Sequence, residues 1–161
     1  GFVLTRPMFL KDPRVRLVAA ADPRPEARAA FEAEFAGRAY ETAADLCADP
    51  EVDVVYVASP HGLHVDHATA AARAGKHVLV EKPMALTLAD CRTMRAAAAQ
   101  AAGLLLAGPS HGYDAPVVRA AELIRTGRFG ALRMLTLMNF TDFMYRPRRP
   151  EELDPAGGAP G

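Results

Sequence analysis

Apolar residues in this chain fall into short dense blocks, separated by stretches in which they recur every three or four positions. RVRLVAAAD (14–22), DVVYVAS (53–59), HVLVEK (77–82) and LLLAG (104–108) are the blocks. Runs of this length, rich in β-branched and aliphatic residues, predict strands covered on both faces. Helical patterns fill the intervals. PEARAAFEAEFAG (25–37) carries Phe31 and Phe35 at i,i+4 and stops at Gly37, and HVDHATAAARAG (64–75) stops at Gly75. TLADCRTMRAAAAQAAG (87–103) opens with Thr87 and Asp90 in capping-box spacing. TAADLCADP (42–50) has Thr42 as N-cap and Pro50 as breaker, and PVVRAAELIRTG (116–127) predicts a further helix. ALRMLTLMNFTDF (131–143) predicts a longer strand.

Strands alternating with amphipathic helices predict an α/β fold, a doubly wound parallel sheet with helices on both faces. Right-handed crossovers gather the strand C-terminal ends along one edge, where ligands of such sheets sit. That edge would carry Asp22, Ser59-Pro60-His61, Glu81-Lys82-Pro83 and Gly108-Pro109-Ser110-His111. Four successive strands thus end in polar or turn-forming residues, which a purely structural sheet does not require.

Composition narrows the partners. Lys+Arg and Asp+Glu each number 19, so the net charge is zero and nothing favours nucleic acid or an anionic membrane. No apolar run approaches the roughly 18 residues needed to span a bilayer, and GFVLTRPMFLKDP lacks the order of a secretory signal. Cys47 and Cys91 form no C-x-x-C pair and read as reduced thiols. A cytoplasmic protein is expected. The chain opens on Gly1 in an apolar, helix-like stretch and closes on the Pro/Gly-rich RPRRPEELDPAGGAPG, so it reads as a fragment.

Each candidate group has a bland alternative. Asp22 stands where dinucleotide-binding folds place the acid that bonds the adenosine ribose, about 20 residues after a glycine-rich turn. Gly1 is at a suitable distance to be a remnant of that turn; otherwise Asp22-Pro23 is a plain turn. Arg24 could reach a 2′-phosphate, but the acid favours NAD over NADP. His61, His64, Asp66 and His67 suggest a zinc hydrolase, yet HGLHVDH places one histidine out of step with an H-x-H-x-D-H pattern, which a tetrahedral site would not tolerate. Otherwise His64 opens a helix, with Asp66 and His67 on its solvated first turn. Lys82, at a strand end beside Glu81, can donate or accept a proton. Pro83 restricts the backbone of Lys82 to extended conformations. In isolation, Glu-Lys-Pro would be an exposed turn. His111, in GPSHGYD (108–114), is a candidate substrate contact or an ordinary loop residue.

Together, DPEVDVVYVASPHGLHVDHATAAARAGKHVLVEKPMALT (49–87) resembles the Gfo/Idh/MocA family of NAD(P)-dependent oxidoreductases. The family's T-P-N-x-x-H loop is Ser59-Pro60-His61-Gly62-Leu63-His64, with His61 replacing the usual Asn; its A-G-K-H-V-x-x-E-K-P block is complete from Ala74 to Pro83. The resemblance implies a Rossmann-like domain over 1–108 with its first strand missing, followed over 109–161 by the start of a C-terminal α/β domain. It implies Lys82 as catalytic lysine, Glu81 and Pro83 beside the nicotinamide ribose, residues 59–64 along the cofactor, and Asp22 at the adenosine ribose. The implied reaction is hydride transfer between NAD or NADP and a hydroxyl-bearing carbon of a sugar, polyol or cyclic diol. Beyond Gly108 the chain looks like the branch that includes phthalate dihydrodiol dehydrogenases. Substrate binding and homo-oligomerisation would fall to the missing C-terminal part, so the fragment itself should not turn over. The alternatives are a non-catalytic NAD(P) sensor of the same fold and, behind it, the zinc hydrolase.

Overall fold

The computed structural model describes residues 12–101, 103–108 and 110–138. In chain order they form β1 (Ala19–Ala21), α1 (Pro25–Phe35), β2 (Arg38–Tyr40), α2 (Ala43–Ala48), β3 (Val54–Val57), a 3-10 turn (His61–Leu63), α3 (His64–Arg73), β4 (His77–Val80), α4 (Leu88–Gln100), β5 (Leu105–Ala107), a second 3-10 turn (Ser110–Tyr113) and α5 (Ala115–Arg125). All pairings are parallel. The parallel α/β plan holds, with the pairings among the described residues grouped as β1-β2 and β3-β4-β5. Among the described residues no strand joins β1 to β3.

Capping residues set the helix starts. Thr42 and Thr87 each accept a bond from the amide three residues on, Asp45 N and Asp90 N, both at 3.1 Å. Pro25 lies in the first turn of α1, where its missing N–H leaves no gap. At its other end α1 stops before the predicted Gly37. Ala36 takes the left-handed conformation (φ 51) and its N–H bonds Glu32 O at 3.0 Å. Gly37 is needed for space instead: a Cβ there would stand 2.7 Å from the Phe31 ring and 2.9 Å from Val18 O.

Several strands are shorter than their apolar runs, because a ladder exists only where a neighbour lies alongside. β1 occupies three residues of the 14–22 run, bordered by Arg38 N to Val18 O (2.9 Å) and Asp22 N to Tyr40 O (3.1 Å). Coverage on both faces is also incomplete: Val57, Val78 and Val80 are buried, whereas Val54 and Leu106 are exposed. The strand predicted over 131–143 does not form across 131–138. There Leu132, Met134, Leu135, Leu137 and Met138 are exposed, and no described strand lies beside them to complete a ladder. Residues 139–143 lie outside the described part, as does Gly1.

One core serves both sheets. Ala68, Ala71 and Ala72 let α3 approach α4 and the β3-β4 pair closely, with Met94 filling the gap from α4. α2 packs on β1, β2 and α3, so it ties the small sheet to the larger. A buried carboxylate reinforces that join. Asp49, just past α2, accepts from Arg38 Nε and NH2 (both 2.8 Å), Tyr40 OH (3.0 Å) and Glu51 N (2.9 Å). Its own carbonyl accepts from Lys76 Nζ at 2.8 Å. Cys47 and Cys91 are both free thiols. No described helix is long and apolar enough to cross a membrane.

Candidate functional site

Parallel pairing brings the C-terminal ends of β3, β4 and β5 into line, since Val57 pairs with Val80 and Val80 with Ala107. Residues 58–60, 81–83 and 108 therefore leave the sheet side by side. The predicted Ser59, Pro60, Glu81, Lys82 and Pro83 are gathered there, while Asp22 and Arg24 follow β1 in the other sheet.

Glu81 leaves β4 half-buried and is held on both oxygens. Tyr56, projecting from β3, donates its hydroxyl to Oε1 at 2.5 Å, and the Lys82 backbone N–H donates to Oε2 at 3.0 Å. Burial alone would raise this carboxyl, but the Tyr56 hydroxyl, the Lys82 amide and the Lys82 charge together hold it below its usual 4.5. The same contact acts oppositely on Tyr56: burial first, then the carboxylate, pushes its hydroxyl well above the usual 10. The pair is thus a neutral phenol donating to an ionised carboxylate.

Lys82 itself is exposed, and among the described residues no ion pair holds its ammonium. The Lys82-Pro83 peptide is cis. Fixed neighbours and a free head group suit a lysine that meets an incoming ligand.

His64 opens α3 as expected, and it is fully buried. Its Nδ1 lies 2.9 Å from Pro83 O and its Nε2 2.9 Å from Ser59 O. His67 is half-buried and bonded to Ser59 Oγ at 3.0 Å, so it does not lie on a solvated turn; Asp66 does. Burial pushes the His67 ring below its usual 6.5, against the opposing charge of Asp66. The zinc arrangement is not assembled. Both His64 nitrogens are turned to carbonyls, and no described cluster of three or more His, Cys, Asp or Glu could hold a metal ion. His61 packs edge-on to His64 at 5.5 Å between ring centres.

Asp22 does follow β1, but Arg24 clasps it. Arg24 N and Nε both donate to Oδ1 at 2.9 Å, and NH2 donates to Oδ2 at 2.9 Å. That clasp holds the Asp22 carboxyl below its usual 3.8, outweighing partial burial. Arg28 adds a bond to the Asp22 carbonyl at 2.8 Å. His111 lies in the second 3-10 turn, and its side chain falls outside the described part.

The donor set fits a nicotinamide dinucleotide. Two ionised carboxylates at strand ends suit ribose hydroxyls, and an unpaired ammonium lies beside one of them. Sequence reasoning missed the bracing group: Tyr56 reads only as a strand aromatic, and neither His64 nor His67 announces a backbone or hydroxyl partner.

The model of an oxidoreductase family with an NAD-binding Rossmann fold, Gfo/Idh/MocA, matches residues 3–108. Over 155 residues, 96% of this chain and 39% of the relative, the sequence is 51% identical to 1-carboxy-3-chloro-3,4-dihydroxycyclohexa-1,5-diene dehydrogenase of Comamonas testosteroni. A presumed dehydrogenase of Bordetella bronchiseptica RB50 superposes with a TM-score of 0.89 at 38% identity, covering 99% of this chain and 42% of that one. The WlbA dehydrogenase of Bordetella pertussis, solved with NADH and UDP-GlcNAcA, gives 0.67 at 35% identity over 73% of this chain and 34% of that one. The chain thus spans about two fifths or less of these relatives.

Proposed function

The chain belongs to the Gfo/Idh/MocA oxidoreductase family, and from that premise we propose that it supplies the cofactor side of a dehydrogenase acting on a hydroxyl-bearing carbon. The observation that carries the reading is the mount of Lys82: an exposed ammonium at a strand end, beside a carboxylate kept ionised by Tyr56. When bound, the nicotinamide dinucleotide supplies the two-electron exchange. In the oxidation direction Lys82, as the amine, takes the substrate hydroxyl proton; in reduction its ammonium returns it. Negative charge growing on the substrate oxygen then develops beside a cation, which lowers the barrier.

Glu81 accepts from the ribose next to the nicotinamide, Pro83 fixes the exit of Lys82, and Ser59, Pro60 and His61 follow the dinucleotide, with the fully buried His64 behind them. Asp22 takes the adenosine ribose, and its carboxylate favours NAD over NADP, with Arg24 as the group that could answer a 2′-phosphate. Residues 1–108 form the cofactor domain, and 109–161 begin a substrate domain in which His111 is a substrate contact. Substrates are sugars, polyols or cyclic diols, the phthalate-type diols being the narrower proposal, in keeping with the name of the Comamonas testosteroni relative. The complete enzyme is cytoplasmic and homo-oligomeric.

The test is turnover and nicotinamide-fluorescence titration of the complete enzyme carrying this segment. Lys82→Ala should lower kcat by about 100-fold or more while NADH still binds. Wild-type turnover in that variant would sink the mechanism, and NADH binding without oxidation of any polyol or diol by the unaltered enzyme would favour a sensor.

A further inference from the structure

We propose that His64 is the positioning residue for Lys82, acting as a brace between the two strand-end loops. This rests on the reading of Lys82 as the proton-handling group. The ring is completely buried, and its two nitrogens reach two different loops: Pro83 O in the β4–α4 loop and Ser59 O in the β3–α3 turn, each at 2.9 Å. Carbonyl oxygens only accept. A ring nitrogen that carries an N–H donates to the carbonyl it faces. Removing the ring takes away a buried side chain that reaches both loops.

The position of Lys82 between its neighbours gives the brace its meaning. The residue before it, Glu81, is tied to β3 through Tyr56 OH. The residue after it, Pro83, is tied to the first turn of α3 through His64 Nδ1. Lys82 lies between these two anchors with its own side chain exposed, so the point at which that side chain leaves the chain is set by its neighbours. The opposite end of the brace is secured as well. Ser59 is held at its carbonyl by His64 and at its hydroxyl by His67 Nδ1, 3.0 Å away. His64 therefore transmits the fixed position of the β3–α3 turn to the lysine loop without touching a substrate.

The experiment is steady-state kinetics of the complete enzyme as His64→Ala, His64→Gln and Lys82→Ala, each with and without added imidazole. Misplacement of a reacting group by about 1 Å can lower rates by about 100-fold, so His64→Ala should lose about that much kcat while the cofactor KM stays within about threefold. Imidazole, small enough to enter the space left by the ring, should restore at least about tenfold of that loss, and should restore nothing in Lys82→Ala. His64→Gln keeps a donor group, its NH2, but only at one end of the side chain, and should fall between wild type and His64→Ala at an unchanged circular-dichroism spectrum, which keeps the test valid if the alanine variant fails to fold. Wild-type kcat in His64→Gln, or a raised cofactor KM at unchanged kcat in either His64 variant, overturns the brace. Wild-type turnover in Lys82→Ala instead overturns the underlying reading of the lysine, so the two failures are told apart.

Discussion

Arg24 decides how much of Asp22 a ligand can meet. An ionised carboxylate offers about four acceptor positions, and Arg24 alone occupies three of them through N, Nε and NH2. A ribose that needs both oxygens of Asp22 must displace the guanidinium; a 2′-phosphate would draw it away. Arg24→Ala is therefore expected to tighten NADH and weaken NADPH by about fivefold each, read by fluorescence titration. Parallel changes in both would remove Arg24 from cofactor choice. At this scale the sequence shows which residues stand at strand ends, because apolar runs stop visibly at Asp22, Ser59 and Glu81. It does not show what they bond to. His64 looks like one member of a histidine cluster until two backbone carbonyls, neither encoded by a side chain, are found on its ring.

Among elements, those marked by an apolar run or a capping residue were legible and those without either were not. α3, α4 and β4 fall where periodicity and capping residues put them, since each signal extends over a whole element. β2, Arg38–Tyr40, lacks the apolar run that marks the equally short β1 and β5. The 131–143 run has strand composition but no described neighbour over 131–138, and pairing, unlike composition, cannot be read locally. Glycines mislead in the same way. Gly103 looks like a helix stop, yet α4 ends at Gln100 and the glycine lies against the start of β4, where a Cβ would stand 2.4 Å from Lys76 O. The obstacle is backbone, so it cannot rotate aside. Gly103→Ala should destabilise by about 1–3 kcal/mol, measured by chemical denaturation. An unchanged midpoint would mean that the β4–β5 junction yields more readily than its spacing implies.

For the molecule as a whole, acid stability should expose the join between the two sheets. The Asp49 carboxyl is held below its ordinary 3.8, first by the Glu51 amide and then, against burial, by Arg38 and Tyr40. A carboxyl whose folded value is lowered contributes fully above its unfolded value and loses that contribution as pH falls through the folded one. Melting temperatures followed from neutral to about pH 2 should converge for wild type and Asp49→Asn at the acid end; a constant gap would take this group out of acid unfolding. The general α/β plan was readable because most strands and helices carry their own apolar or capping signal. Which strand pairs with which was not, since pairing joins residues far apart in the chain. The mount of Lys82 has a different reach. Its anchors, Tyr56, Ser59, His64, Glu81 and Pro83, all come from one short continuous segment. A single stretch of 28 residues can therefore carry the whole mount, whatever the rest of the gene encodes.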